Sequence, residues 1–382
     1  MSKTLIGKQE HKYLQIADGI EKMIHEEVLR IGDRLPSVRV LSEEYGISMG
    51  TAFQAYYHLE GKGLVEARPK SGYYVRFNNK RFPAMPAATS QYEPVVNEVS
   101  INEIIADVYK NISATDIINF SLAAPSIDLL PAAKLNKSVV HVLRNSKYSC
   151  LNYEDIQGNI ELRKQIAKLS FNWGGKIRAE DVVVTAGCME ALVMSLKAVT
   201  KIGDAVAVES PTYFGIFQVM ESLGLKVVEI PTDPVKGVDV KQVENAIINF
   251  NVKACVFVPN FNNPIGSCMP DAEKKKLVEL ITQHKIPLIE DDIYGEMYFG
   301  KNRPKTCKSF DKEGWVLHCS SISKSLAPGY RIGWCIPGKF TEKLKQLKML
   351  HTISGPTITQ AAIAHFLSIG RYEYHLKNLR KT

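Results

Sequence analysis

The chain has no run approaching the eighteen or so uncharged apolar residues of a membrane-spanning helix, which argues against an integral helical membrane protein. Cysteine is sparse: seven residues at 150, 188, 255, 268, 307, 319 and 335, with no C-x-x-C pair and no adjoining histidine cluster. That spacing supports neither a disulfide framework nor a metal site, so the thiols are expected to be reduced and for the most part in the core. The start, MSKTLIGKQEHKY, lacks the apolar centre and small-residue cleavage site of a secretory signal, and cytoplasmic residence is expected. No internal repeat stands out. Charge of one sign is not dominant either: the net +8 permits an anionic partner without identifying one. What is present is ordinary globular composition, 45% apolar and 23% charged over 382 residues, long enough for two or three domains.

Apolar residues at 13, 14, 16, 17, 20, 23, 24 and 28 follow a helical stripe. GDRLPSVRVLSEEYG then supplies a turn and Ser37 as N-cap of a second helix that would carry Val38, Leu41 and Tyr45 inward. A turn at Gly46 and a cap at Ser48 open a third helix burying Ala52, Tyr56 and Leu59. Two short helices across a tight turn form a helix-turn-helix, and GLVEARPKSGYYVRF reads as a two-stranded wing around Lys70-Ser71-Gly72. Residues 1–80 hold 12 Lys and Arg against 10 Asp and Glu, so net charge alone does not indicate DNA. The distribution is more telling. Arg34, Arg39, Arg68, Lys70 and Arg76 sit at helix starts and on the wing, where a phosphate backbone would lie.

Residues 78–98, NNKRFPAMPAATSQYEPVVNE, read as a semi-rigid linker. Beyond it short β-rich runs alternate with helical ones, the pattern of a mostly parallel sheet with helices on both faces. In such sheets ligands bind beyond the carboxyl ends of the strands. There DVVVT leads to Gly187-Cys188-Met189 at a helix start, DAVAVE to Tyr213, KACVFVPN to Asn263, PLIE to Asp291 and Tyr294, and WVLHCS to Ser321, Ser323 and Lys324, with Arg331 seven residues on. Each has a plain structural explanation by itself: a tight turn, a rim aromatic, a solvated carboxylate or lysine. Together they describe a pocket for pyridoxal 5'-phosphate. Lys324 would form a Schiff base with the aldehyde, its pKa lowered by partial burial and Arg331. Asp291 would pair with the ring nitrogen, Asn263 and Tyr294 with the phenolic oxygen, and Tyr213 would stack on the ring. Ser321, Ser323, Arg331 and backbone N–H groups of Gly187, Cys188 and Met189 would hold the phosphate.

These residues carry two resemblances. GDRLPSVRVLSEEYGIS and AYYHLEGKGLVEARPKSGYYV resemble the GntR-type winged helix, which implies that Arg34, Ser37, Arg39, Ser48, Thr51 and Gln54 face DNA, with Lys70 on the wing. Many members have arginine where this chain has Met49, so their base preference does not transfer. TAGCMEAL, ESPTYFG, PNFNNPIG, IEDDIYGEMYF and SSISKSLAPGYRIGW resemble the fold-type I, aspartate-aminotransferase-like proteins from about residue 119 onward. That family's pattern selects Asp291 over Asp292 for the ring nitrogen and, at LNYEDIQGNIELRKQIA, assigns Tyr153 to the phosphate of a neighbouring subunit in a homodimer. A winged helix fused to such a domain resembles the MocR subfamily of bacterial regulators. The implied organisation is a multidomain α+β winged helix-turn-helix over 1–77, a linker over 78–100 and an α/β PLP-dependent transferase fold over 101–382.

Family members that transfer amino groups clamp the substrate carboxylate with an arginine far beyond the Schiff-base lysine, whereas here 58 residues follow Lys324. An incomplete small domain is therefore expected, and with it weak catalysis. Two functions compete: a transcription regulator that senses an amino compound through the cofactor, and a PLP-dependent aminotransferase with a DNA-binding appendage.

Overall fold

The computed structural model describes residues 12–26, 28–69, 71–76, 96–97, 123–145 and 151–382. They fall into two compact units, Met1–Met85 and Pro86–Thr382. In the first, α1 (Lys12–His25) buries Ile16, Ala17, Ile20 and Ile24, a spacing that puts all four on one face. Met23 flanks that stripe and Val28 lies past the helix end, so both are exposed. Helix α2 (Val38–Glu44) is capped by Ser37 Oγ, which accepts from the Val40 N–H at 3.2 Å. Helix α3 (Met49–Gly61) is capped in the same way by Ser48 Oγ and the Thr51 N–H at 3.1 Å. Each cap satisfies a first-turn donor and typically contributes about 1 kcal/mol.

Leu41 enters the core, but Tyr45, expected beside it, is exposed. It occupies the C-cap of α2 with φ −94° and ψ 1°, where the chain leaves helical geometry and the inward register is lost. Helix α3 buries Ala52, Ala55, Tyr56 and Leu59. Tyr56 donates its O–H to the Pro36 carbonyl at 2.7 Å and stacks on Tyr73 at 4.6 Å, which ties the start of α2 and the wing to α3. Strands β1 (Val65–Arg68) and β2 (Gly72–Val75) form the antiparallel wing, and a β-bridge joins Arg34 to Tyr74. Lys70, expected on the wing, lies outside the described residues.

The second unit is built on a nine-stranded sheet. Its members are β3 (Val96–Asn97), β4 (Val183–Thr185), β5 (Ala205–Ser210), β6 (Lys226–Asp233), β7 (Gly237–Val238), β8 (Ala254–Phe257), β9 (Leu288–Asp291), β10 (Val316–Ser321) and β11 (Gly333–Ile336). The order is β3-β6-β5-β8-β9-β10-β11-β4, with β7 added to β6. Strands β6, β5, β8, β9 and β10 are mutually parallel, while β11 runs antiparallel to both β10 and β4. Strand β4 therefore points with the parallel set, and the N-terminal end of β11 shares its edge. Of the expected linker only Val96 and Asn97 are described, and they pair with β6 as an edge strand.

Every residue of β8, β9 and β10 is buried, as required of parallel strands covered on both faces. Alternate residues go to opposite sides. Val206 and Val208 join a core with α6 (Cys188–Val199) and α7 (Phe214–Ser222). Ala207 joins one with α8 (Val240–Phe250) and α9 (Asp271–His284). A third cluster collects α5 (Ile160–Leu169), α11 (Thr357–Ser368) and α12 (Arg371–Lys381), with α4 (Ala132–Asn145) packed on α11; α10 (Thr341–His351) places Leu344 in the first core. The C-terminal amphipathic pattern is helical as expected, with Leu376 buried and Leu379 half-buried. Among the described residues no helix is long and apolar enough to cross a membrane.

Candidate functional site

Parallel strands β4, β5, β8, β9 and β10 discharge their loops at one edge of the sheet, and the reversed β11 begins there. The chain following β10 turns back through Lys324 to Arg331, which adopts the left-handed region at φ 51° before β11. Ser321 Oγ donates to the Ile332 carbonyl at 2.7 Å and accepts from the Ser323 N–H at 3.0 Å. Its single proton is thereby committed, so Ser323 Oγ is the donor in the 2.8 Å contact between the two hydroxyls. Arg331 reaches the Ala186 carbonyl through Nη2 at 2.9 Å and Ser323 Oγ through Nη1 at 3.5 Å. One guanidinium thus clamps the β4–α6 turn to the β10–β11 loop.

Gly187 is what allows this. It has φ +89°, and a Cβ there would overlap the Arg331 guanidinium. It also opens α6, whose first residues Cys188 and Met189 present N–H groups at a helix N-terminus. Lys324 is half-buried, and burial pushes its pKa down; the Asp291 carboxylate opposes that shift and Arg331 reinforces it. From the far side, α12 braces the loop: Tyr372 OH lies 2.7 Å from Ser325 Oγ, and His375 Nε2 lies 2.9 Å from the Ser325 carbonyl.

Asp291 ends β9 and is buried. Its Oδ1 accepts from the Cys188 thiol at 3.3 Å and from the Ile293 N–H at 3.0 Å, and burial pushes its pKa up to about 6. The next residue faces the other way, as successive strand residues must. Asp292 meets Arg303, His318 at 3.2 Å and Asn260 at 2.9 Å. Burial alone would raise the pKa of Asp292, but Arg303, His318 and Asn260 hold it well below the ordinary range. Asn263 Nδ2 donates to Tyr294 OH at 3.2 Å, and burial, with Asp291 nearby, pushes that phenol up to about 12. Tyr213 caps α7 half-buried, tilted against Phe214 at 4.7 Å, and Gly215 lacks a side chain where a Cβ would overlap the Tyr213 ring. Tyr153 is 85% exposed, a surface residue within one chain.

The structure therefore brings Cys188 to Asp291, Asn263 to Tyr294, and Ser321 and Ser323 to Arg331 and Gly187. Sequence reasoning missed the layer behind them. Arg303 bridges Asp292 and Glu296, Trp173 stacks on His318 at 5.0 Å, and the fully buried Lys274 donates to Asn260 Oδ1 at 2.7 Å and the Lys305 carbonyl at 2.8 Å. The doubled acid in IEDD was the available signal: with one carboxylate at the strand end, its neighbour must find a cation on the opposite face.

In the first unit Arg34, Ser37, Arg39, Ser48 and Gln54 are exposed and Thr51 is half-buried. Ser37 and Ser48 spend an acceptor on their helix caps, and Ser48 Oγ lies 2.9 Å from Thr51 Oγ1. Arg39 pairs with Glu43 at 3.1 Å, a contact between exposed groups that a phosphate could replace.

A lysine, a buried carboxylate, a paired amide and phenol and a serine-arginine cup at the carboxyl edge of this sheet define a protein of the aminotransferase fold. The family described as Aminotransferase class I and II matches residues 115–381, and Bacterial regulatory proteins, gntR family, matches residues 12–75. The Escherichia coli K12 HTH-type transcriptional regulators YjiR and YdcR, both described as uncharacterized, are 37% and 38% identical over 97% of this chain and 78% of each of them. A Pyrococcus horikoshii kynurenine aminotransferase, solved with PMP, is 28% identical with a TM-score of 0.68, covering 74% of this chain and 71% of that one. The chain belongs to the GntR-type transcription regulators that carry a fused class I and II aminotransferase domain, the architecture of the MocR subfamily.

Proposed function

We propose that this regulator binds operator DNA through residues 1–77, holds pyridoxal 5'-phosphate on Lys324 within residues 101–382, and senses an amino compound there. The observation that carries the reading is a half-buried lysine within electrostatic reach of the buried Asp291 carboxyl at the carboxyl edge of the sheet, in a chain that also bears a winged helix. The residues fit the group. Gly187 leaves room for the Arg331 guanidinium, and the buried Asp291 carboxyl, strained upward in pKa, gains from a cationic ring nitrogen opposite it.

When bound, the cofactor supplies an aldehyde that condenses with primary amines and an electron-withdrawing ring. Lys324 contributes the amine, Asp291 keeps the ring nitrogen protonated, and Asn263 and Tyr294 offer hydrogen bonds to the phenolic oxygen. Tyr213 covers the ring. Ser321, Ser323, Arg331 and the N–H groups of Gly187, Cys188 and Met189 would hold the phosphate, with Ser323 redirecting to it the proton it otherwise gives to Ser321. Tyr153, exposed here, completes the phosphate site of a second copy in a homodimer. The protein acts in the cytoplasm, on the nucleoid. An effector that displaces Lys324 shifts DNA affinity only if the two states bind it differently.

Lys324→Ala is expected to abolish the visible absorbance of cofactor-treated protein and to remove the response of operator binding to added amino acids. An unchanged response would sink the sensing role. The full set of pocket contacts also supports a second reading, amino-group transfer, and turnover of an amino donor with a 2-oxo acid by the intact chain would establish it.

A further inference from the structure

The geometry points to an uncharged recognition surface on α3 that reads A·T base pairs: Met49 and Phe53 pack on thymine methyl groups and Gln54 hydrogen-bonds adenine. This rests on the DNA-binding reading above. Helix α3 buries Ala52, Ala55, Tyr56 and Leu59. Outside that stripe it exposes Gln54 and, along its flank, Met49, Phe53 and Tyr57, which are 52%, 51% and 68% accessible. Three large apolar side chains at four-residue spacing, with no charged residue among them, form a stripe that a solvated helix face does not ordinarily carry.

The surroundings specify the occupant. Arg34 and Arg39, both exposed, lie on the segment that Tyr56 pins to α3 through the Pro36 carbonyl, and the exposed Arg76 follows the wing. Exposed arginines in the same unit as an apolar, amide-bearing helix surface suit a duplex, which offers phosphates to the guanidinium groups and base edges to the helix. Within the groove a thymine methyl offers apolar contact and adenine offers the donor-acceptor pair that a glutamine matches. A G·C pair offers no methyl, and its two acceptors call for arginine or lysine, which this face lacks. Met49 offers an uncharged, flexible side chain that suits a methyl group.

The test uses the full chain. Duplexes are selected from a random library, then deoxyuridine replaces thymine position by position in the selected site. The selected half-sites are expected to be A·T-rich, and each contacted thymine that loses its methyl is expected to weaken binding about fourfold. Phe53→Ala, an exposed substitution checked for unchanged helicity, is expected to weaken binding about tenfold, cancel part of the deoxyuridine effect and leave the salt dependence intact. Arg39→Ala is expected to lower the salt slope by about one. G·C-rich selection, or indifference to deoxyuridine, overturns the inference. So does a Phe53→Ala chain with unchanged DNA affinity and an altered oligomeric state, which marks the stripe as a protein interface. A chain that binds no duplex at any salt overturns the DNA-binding reading itself.

Discussion

Burial pushes Asp291 up to about 6 and Glu209, whose Oε2 accepts from the Val258 N–H at 2.6 Å, up to about 7. A group whose folded pKa is raised contributes stability below its unfolded pKa, and that contribution is lost as pH rises through the folded value. Cofactor-free protein is therefore expected to lose on the order of 2 kcal/mol per group between about pH 4 and pH 7. Asp292 works in the other direction, and its contribution disappears only in stronger acid. Asp291→Asn is expected to flatten the Asp291 share, which denaturant midpoints across that window measure; a variant parallel to the parent throughout would count against it. Asp291, Ser321, Ser323 and Lys324 could be nominated for one site from the sequence because each lies at or just past the end of an apolar run, and Arg331 because it follows Lys324 by seven residues. Arg303, His318 and Lys274 could not, since no spacing shows which loop, strand and helix residues will meet behind a strand end.

At the scale of elements, the turn between β4 and α6 decides whether the cup can form. Gly187→Ala forces a side chain into the Arg331 guanidinium from a left-handed backbone. We expect a stability loss of about 1–3 kcal/mol and a fall in cofactor affinity of tenfold or more, read by thermal shift and by cofactor titration. Retained affinity would mean that Arg331 can vacate the turn without consequence. The strands and helices themselves were readable from alternation of apolar runs, and their caps from Ser37 and Ser48. Tyr45 was misplaced because periodicity carries no information about where a seven-residue helix stops. The reversal of β11 was equally hidden: GWCI is as apolar as its parallel neighbours, and only pairing with β10 and β4 reveals its direction.

For the whole molecule, each unit has its own hydrophobic core, one around Leu41, Tyr56 and Leu59 and the others on the faces of the large sheet. Two calorimetric transitions are expected, the one for Pro86–Thr382 roughly three to four times larger in enthalpy because unfolding enthalpy scales with residue number. Pyridoxal phosphate at a hundred times its dissociation constant is expected to stabilise the larger unit by about 2.7 kcal/mol and leave the smaller in place. A single transition that moves as a whole would instead show the two units folding as one.

Local signals alone determined a good deal: the order of elements, the winged helix, and the types of side chain delivered to the strand ends. Those follow from periodicity, capping and turn chemistry, which act over a few residues. Tertiary structure decided what lies far apart in sequence and close in space. It set the Cys188 thiol against Asp291, the guanidinium of Arg331 over Gly187, Arg303 under Asp292 and the exposed apolar stripe on α3. Such contacts depend on which strand neighbours which and on which face a helix turns inward, and both are settled only when the sheet and its cores assemble.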